Sequence, residues 1–142
     1  MKGARGFTLI ELITALILVA VLSVALASRF SGIDAALSTS RDDTVAALFY
    51  AQQVAMARDS SSNPVTFVVV DNNTISVREN GVDLAVGPVS YPLDLPSGVT
   101  ISPTSLTLDY DKLGRTSGTT LTLSHGGAST MVTVSDSGYA QQ

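Results

Sequence analysis

The feature that most constrains this chain is an apolar run near its N-terminus that contains one carboxylate. The 21 residues from Phe7 to Ala27 carry a single charge, that of Glu11. As a helix at about 1.5 Å per residue, this run is roughly 30 Å long, the thickness of a bilayer core, so it can span a membrane. A carboxylate in such a helix costs about 2.5 to 3.5 kcal/mol on insertion scales. Glu11 therefore calls for a partner or a change of protonation.

The rest of the 142-residue chain is long enough for one small domain with a single core. From Phe30 onward there are 11 acidic and five basic residues, a formal charge of −6. This charge disfavours general attraction to nucleic-acid phosphates. The chain has no cysteine, which excludes disulfides and thiolate metal sites.

The flanks of the apolar run allow three interpretations. Lys2 and Arg5 precede it and Arg29 follows it, which favours a cytoplasmic N-terminus with the bulk of the chain on the far side. One interpretation is an uncleaved single-pass anchor. A second is a secretory signal, because Ala25-Leu26-Ala27 before Ser28 has the small-x-small cleavage pattern. The length of the run and Glu11 count against a signal peptide, whose apolar region spans about 7 to 15 residues.

The third interpretation is a resemblance carried by Gly6-Phe7-Thr8-Leu9-Ile10-Glu11-Leu12 after a short basic leader. This stretch resembles the signature of type IV pilins and of the pseudopilins of type II secretion systems. The resemblance implies that a prepilin peptidase cuts between Gly6 and Phe7 and methylates the new amine of Phe7. It also implies that Glu11 pairs with that amine on a neighbouring subunit and sets the axial register. The alternative is that Glu11 only snorkels to the membrane interface.

A second helical segment follows, from Ile33 to Arg58. Its i, i+3, i+4 spacing predicts an amphipathic helix that lays one face on a sheet. The polar run Ser60–Pro64 ends it. The predicted apolar face comprises Val45, Leu48, Phe49, Gln52, Ala55 and Met56, and the predicted opposite face comprises Asp42, Asp43, Gln53 and Arg58.

The remaining sequence indicates β-structure. Val65–Val70 and Thr74–Arg78 predict a hairpin around the turn Asp71-Asn72-Asn73, and Glu79-Asn80-Gly81 predicts the next turn. The proline-rich stretch Gly87–Pro103 predicts an extended loop with a short strand at Val99–Ser102.

Three alternating segments, 105–110, 119–124 and 131–135, predict an antiparallel meander. The fold class is therefore α+β, a long N-terminal helix packed on a small antiparallel β domain. The expected divisions are a leader at 1–6, a transmembrane and assembly helix at 7–28, its amphipathic continuation at 29–62 and the β domain at 63–142. The predicted core residues of the meander are Leu106, Leu108, Tyr110, Leu121, Leu123, Val132 and Val134.

Later motifs resemble one group within the pilin family. Tyr110–Arg115, Val132–Gly138 and Ala51–Arg58 are similar to the GspH/FimT group of minor pilins and pseudopilins, and the last of these also to minor pilins of the MSHA type. Some members of that group bind DNA through basic residues just after the final glycine. Here Gly138–Gln142 has no cation, which disfavours DNA as a partner.

The other chemistry-bearing residues predict no enzyme, cofactor or metal site. His125 is expected at a glycine-rich hairpin turn rather than beside a nucleophile. Asp109 and Asp111, with the oxygens of 71–73, could be imagined around Ca²⁺, but their spacing matches no known calcium loop. Lys112 and Arg115, next to these acids, predict a turn with a local ion pair.

The expected function is that of a minor pilin or pseudopilin in the bacterial inner membrane, with a periplasmic β domain, that enters a pilus or pseudopilus. Its expected partners are other pilins, the prepilin peptidase and, before assembly, inner-membrane lipid. The alternatives are a DNA-uptake minor pilin and a tethered or secreted β-domain binding module without a filament. Processing at Gly6 and Phe7 and the assembly role of Glu11 separate a pilin from a module without a filament. Binding of DNA by the soluble fragment that weakens steeply with salt would support the DNA-uptake pilin.

The N-terminus of the mature chain distinguishes the three interpretations. We expect intact-mass analysis of protein from the native membrane to show a start at methylated Phe7. A start at Met1 would indicate the simple anchor, and a start at Ser28 the secreted protein; either would contradict processing at Gly6.

Overall fold

The computed structural model describes residues 9–27, 32–58 and 62–142. Two compact units are present, one reaching Gly32 and the other running from Ile33 to Gln142. Two helices are seen, α1 (Leu9–Ala27) and α2 (Gly32–Ala57). The end of α2 agrees with the stop predicted at the serine-rich stretch before Pro64.

The strand pairs described in the second unit are all antiparallel. The strands are β1 (Val65–Val69), β2 (Thr74–Glu79), β3 (Val82–Asp83), β4 (Ala85–Val86), β5 (Val89–Ser90), β6 (Leu93–Asp94), β7 (Thr100–Ser102), β8 (Thr107–Tyr110), β9 (Thr119–His125), β10 (Ala128–Val134) and β11 (Ala140–Gln141). One sheet has the order β3-β2-β1-β8, with β6 also on β2; a second has the order β11-β10-β9-β7; β4 and β5 form a separate hairpin. The α+β class with antiparallel sheets is therefore confirmed for this unit.

Small residues form the buried face of α2. Ala47, Ala51 and Ala55 are fully buried, and so are Ser40 and Thr44. The two hydroxyls donate to backbone carbonyls one turn back, that of Ala36 at 2.8 Å and that of Ser40 at 2.7 Å. Because a buried hydroxyl is costly only when it lacks a hydrogen bond, this face packs in the apolar core without penalty.

The face predicted for this helix was partly wrong. Leu48 and Ala55 are buried as predicted, but Met56 is 46% exposed. Val45, Phe49 and Gln52 are only half-buried. The physical reason is that the prediction weighted large apolar side chains, whereas a helix that lies close to its neighbours buries its small ones. The contact face is therefore rotated toward the alanines.

One core joins α2 to both larger sheets. It includes Leu48 from the helix, Phe67 and Ile75 from the first sheet, and Leu121 and Val132 from the second, all fully buried. Of the seven core residues predicted in the last three long strands, six are buried and Leu106 is partly buried. The period-two alternation thus identified the buried side of each strand correctly.

The first hairpin and its turns are confirmed. β1 pairs with β2 in the register Phe67↔Val77. In the turn, Asp71 Oδ1 accepts a hydrogen bond from the Asn73 amide at 2.9 Å. Asn80 and Gly81 then adopt φ values of 50° and 78°, the left-handed conformation that a tight hairpin turn requires.

The predicted meander was wrong in its strand order. β8 pairs with β1, through Phe67↔Leu108, and not with β9. β9 pairs with β10 and, on its other edge, with β7 through Ile101↔Leu123. Alternation reports which face of a strand is buried and carries no information on which strand lies beside it. The three segments therefore belong to two sheets.

The proline-rich stretch is more structured than predicted. The strand expected at Val99–Ser102 is present as β7, but β5 and β6 also lie within the predicted loop. β6 adds to β2 through Thr74↔Asp94. Strands of two residues are too short to show an alternating pattern, so periodicity does not predict them.

A hydrogen-bonded clasp joins α2 to the loops after β8 and β10. Gln52 Nε2 donates to the carbonyl of Gly114 at 3.0 Å and to that of Ser137 at 3.1 Å. Gly138, with φ 80°, lies so close that a Cβ there would be 1.9 Å from the Gly114 oxygen. Only glycine fits at this position.

The clasp predicts a difference between two glycines with similar φ. Gly138→Ala combines left-handed strain with a backbone clash, so we expect a loss of about 2 to 5 kcal/mol of unfolding free energy. Gly127→Ala is the control because φ is 89° but nothing lies within 4 Å of its Cβ; we expect a loss of about 1 to 2 kcal/mol. Urea unfolding of the full chain in a non-ionic detergent measures both. Equal losses would contradict the clasp.

Tyr110 contributes a buried phenol to this core. Its hydroxyl oxygen has no hydrogen-bond partner among the described residues. Burial raises the pKa of Tyr110 to about 12, because the ionised form is poorly solvated there. The folded-state pKa thus lies above the ordinary value of 10, so the folded state loses stability as the pH rises from 10 through 12.

We expect Tyr110→Phe to be neutral or stabilising at pH 7, because it removes a buried hydroxyl without a partner. We also expect the variant to lose less unfolding free energy than the wild type between pH 10 and pH 12. Unfolding curves at intervals across this range measure both effects. Equal losses for the two proteins would show that this phenol is not the titrating group.

Candidate functional site

Glu11 lies in the first turn of α1 and is exposed. It is the single charged residue within the helix bounds. A carboxylate in the first turn interacts favourably with the positive end of the helix dipole.

The described surface of α1 around Glu11 is apolar on every side. All described side chains from Leu9 to Ser23 are exposed, at successive positions and therefore around the full circumference of the helix. The large ones are 42 to 76% exposed. They are Leu9, Ile10, Leu12, Ile13, Leu16, Ile17, Leu18, Val19, Val21 and Leu22.

The hydroxyls of this helix are satisfied by its own backbone. Thr14 Oγ1 donates to the carbonyls of Ile10 at 2.9 Å and Glu11 at 3.0 Å. Ser23 Oγ donates to the carbonyl of Val19 at 2.7 Å. These bonds persist in an apolar medium, so neither side chain opposes burial. Glu11 is the charged residue of the helix, and burial of a charged carboxylate is favourable only beside a counter-charge.

A carboxylate surrounded by apolar side chains binds a cation strongly once water is excluded. The predicted processing residues Gly6 and Phe7 lie outside the described residues. Their roles, and that of Glu11, stay predictions.

The membrane span predicted for 7–28 is not confirmed. Within the parts of the chain that the structure describes, no helix meets the length and apolarity required to cross a bilayer.

The structure also places His125 and Asp109, which the sequence analysis considered as candidate site residues. His125 ends β9, and a Cβ on Gly98 would lie 2.7 Å from its Nε2, so the ring packs against that loop. Asp109 is exposed on β8. Among the described residues, no group of three or more histidines, cysteines, aspartates or glutamates could hold a metal ion.

The ion pair predicted at the turn after β8 is confirmed. Asp111 Oδ2 accepts from Arg115 Nε at 2.9 Å, and Asp111 Oδ1 accepts from the amides of Leu113 and Arg115 at 2.8 and 2.9 Å. These hydrogen bonds, that of the Arg115 amide above all, lower the pKa of Asp111. The Asp111 carboxylate therefore stabilises the turn that contains Gly114, whose carbonyl accepts the hydrogen bond from Gln52.

A groove beside α2 was missed in the sequence. It has a volume of about 420 Å³ and lies between the helix and the β4–β5 hairpin. Tyr50 and Tyr91 line it, although 41 positions separate them in the chain. The only signal was the presence of these two tyrosines, and their spacing does not reveal that the fold brings them together.

Comparison with known families gives one match. Residues 1–27 match the prokaryotic N-terminal methylation motif. Comparisons with curated proteins and with solved structures returned no significant match. The matched segment contains Gly6, Phe7 and Glu11, the residues that carried the resemblance in the sequence. The chain therefore carries, over residues 1–27, the N-terminal motif characteristic of type IV pilins and pseudopilins that are processed by prepilin peptidase.

Proposed function

We propose that this chain is a minor pilin or pseudopilin subunit. A prepilin peptidase removes residues 1–6, and the mature subunit is held in the bacterial inner membrane with its β domain in the periplasm. It then enters a type IV pilus or a type II secretion pseudopilus, within the shaft or at the tip. Its role is structural, without enzymatic activity.

The observation that carries this proposal is the surface of α1. A helix with apolar side chains on all sides is unfavourable in water and is stabilised by contact with similar helices or with lipid. The motif matched at residues 1–27 is characteristic of subunits that make this transfer from a membrane to a filament.

Processing creates a cation close to Glu11 in the sequence. Removal of residues 1–6 discards Lys2 and Arg5 and creates an amine at Phe7, four residues before Glu11. Methylation leaves that amine positively charged at neutral pH. Both groups then lie in apolar surroundings, where an unpaired charge is expensive and a pair is favourable.

Pairing between neighbouring chains sets how the helices assemble. When the Phe7 amine of one subunit meets Glu11 of the next, the two helices are offset by a fixed axial distance. Apolar contacts between helices lack such directionality, because many sliding positions bury similar areas. The charge pair therefore specifies register, and the apolar surface provides most of the adhesion.

The sequence of the β domain and of α2 supports the proposal that the chain is a minor subunit rather than a major one. Its sequence resembles the GspH/FimT group at the stretches that form the clasp, Ala51–Arg58, Tyr110–Arg115 and Val132–Gly138. The domain carries a net negative charge and has no cation after Gly138, which argues against a DNA-uptake role. The copy number of the chain in isolated filaments distinguishes a minor from a major subunit.

The direct test is substitution of Glu11. We expect Glu11→Val to be processed and to fold normally, because the side chain is exposed on α1, but its incorporation into filaments should fall by about tenfold or more. The measurement is the ratio of the chain in sheared filaments to that in the membrane fraction. Glu11→Asp, which retains the charge, should restore part of the incorporation.

Glu79→Gln is the matched control, because Glu79 is the other glutamate of the chain and pairs with Arg58 at the surface. We expect it to assemble like the wild type. Wild-type incorporation of Glu11→Val would contradict the assembly role of the carboxylate.

A further inference from the structure

The groove beside α2 has a preformed shape. Tyr50 stacks on Tyr91 with ring centroids 6.1 Å apart and an interplanar angle of 15°. The Tyr50 hydroxyl donates to the carbonyl of Ala85 at 3.0 Å, which ties the β4–β5 hairpin to the helix. The Tyr91 amide donates to the carbonyl of Leu84 at 2.9 Å, which joins the two chain segments at the open end of the hairpin. The aromatic wall is thus fixed before any ligand arrives.

The lining of the groove is mainly apolar, with Asp43 as its charged residue and Gln53 as a neutral polar one. Val86 and Val89 on the hairpin line it and are 41 and 38% exposed, so part of their apolar surface is in contact with water. Phe49 lines it from the helix, with Tyr139 against it at 5.8 Å in an edge-to-face arrangement. Burial of these surfaces by a partner is favourable.

Asp43 is the charged residue of the groove lining. Its side chain lines the groove and has no hydrogen bond or ion pair to the described residues. The nearest arginine in sequence, Arg41, is already paired with Asp42 at 3.2 Å. Burial, followed by the charge of Asp42, raises the pKa of Asp43. A cation placed in the groove would relieve this unfavourable environment.

We propose that the groove binds an arginine side chain presented by a short segment of a partner protein. The guanidinium pairs with the carboxylate of Asp43 and lies against the tyrosine rings, and apolar residues beside the arginine contact Val86 and Val89. Arginine suits this place better than lysine because its planar, weakly hydrated head stacks on aromatic rings and binds a carboxylate through two donors.

The partner is a different protein rather than a second copy. The sequence from Phe30 onward has a formal charge of −6, so two such domains repel each other. Four arginines in the described part are already paired with acids of the same chain. These pairs are Arg41–Asp42, Arg58–Glu79, Arg78–Asp83 and Arg115–Asp111.

The carboxylate of Asp43 also makes a neutral ligand less favourable than a cation. A neutral sugar or an apolar peptide would cover the tyrosines but would remove water from Asp43 without supplying a positive charge. The groove lies wholly in the unit that starts at Ile33 and does not involve α1. The inference is therefore independent of the assembly role of Glu11, and either can fail without the other.

The test is an NMR titration of the ¹⁵N-labelled full chain in a polyoxyethylene detergent, which contains neither a sugar nor a quaternary amine. The probe is acetyl-leucyl-arginyl-leucine amide. The matched probe replaces arginine by citrulline, which has the same shape but no charge. We expect saturable shifts at the amides of Asp43, Tyr50, Val89 and Tyr91 with the arginine peptide, and binding weaker by about tenfold or more with the citrulline peptide.

Three variants test whether the peptide binds in the groove. Asp43→Asn should weaken binding of the arginine peptide by about tenfold. Asp109→Asn makes the same change of charge on β8, where the side chain is exposed and lies outside the groove, and should change the affinity less than about twofold. Tyr91→Leu, which retains an apolar side chain, should also weaken binding. Amide spectra of each variant check that the fold is retained.

Equal binding of the arginine and citrulline peptides, or wild-type affinity in Asp43→Asn, would overturn the proposal. Shifts confined to residues outside the groove would do the same. Saturable shifts with maltose and none with the arginine peptide would assign the groove to a carbohydrate and contradict the proposed arginine.

Discussion

A carboxylate on an exposed apolar helix is the constraint on which the function proposed for this chain depends. Glu11 cannot be buried alone, because a charge removed from water requires a counter-charge. The leucines, isoleucines and valines around it cannot remain in water without cost. Both demands are met when the helix joins a bundle in which a neighbouring chain supplies a cation. The amine formed at Phe7 by processing is that cation in our proposal.

The second unit solves a different problem, that of packing two antiparallel sheets and a helix around one small core. The alanines of α2 allow the helix to lie close to the strands, and Gln52 holds the loops at Gly114 and Ser137 to its side. The same helix turns Asp43 and Tyr50 toward the β4–β5 hairpin. One element therefore supplies the core contact, the clasp and the wall of the groove.

The sequence predicted what depends on local pattern and missed what depends on chain path. The burial of Val132 and Val134 followed from alternation, and the motif around Glu11 was evident without a structure. The pairing of β8 with β1 was not, because a strand's alternation does not encode its partner. The groove was missed for the same reason, since the fold alone brings Tyr91 to the helix.

The pairing proposed for Glu11 is a contact between two different chains, and an interatomic distance in assembled filaments measures it. When this chain carries ¹³Cδ-glutamate and the neighbouring pilins carry ¹⁵N-phenylalanine, solid-state NMR of the filaments reports only contacts between this chain and its neighbours. The chain has only two glutamates, so the carboxyl signals are readily assigned. We expect a separation of about 4 Å between the Glu11 carboxyl carbon of this chain and the N-terminal phenylalanine nitrogen of a neighbouring pilin. Filaments in which no such dipolar contact is detected would contradict it.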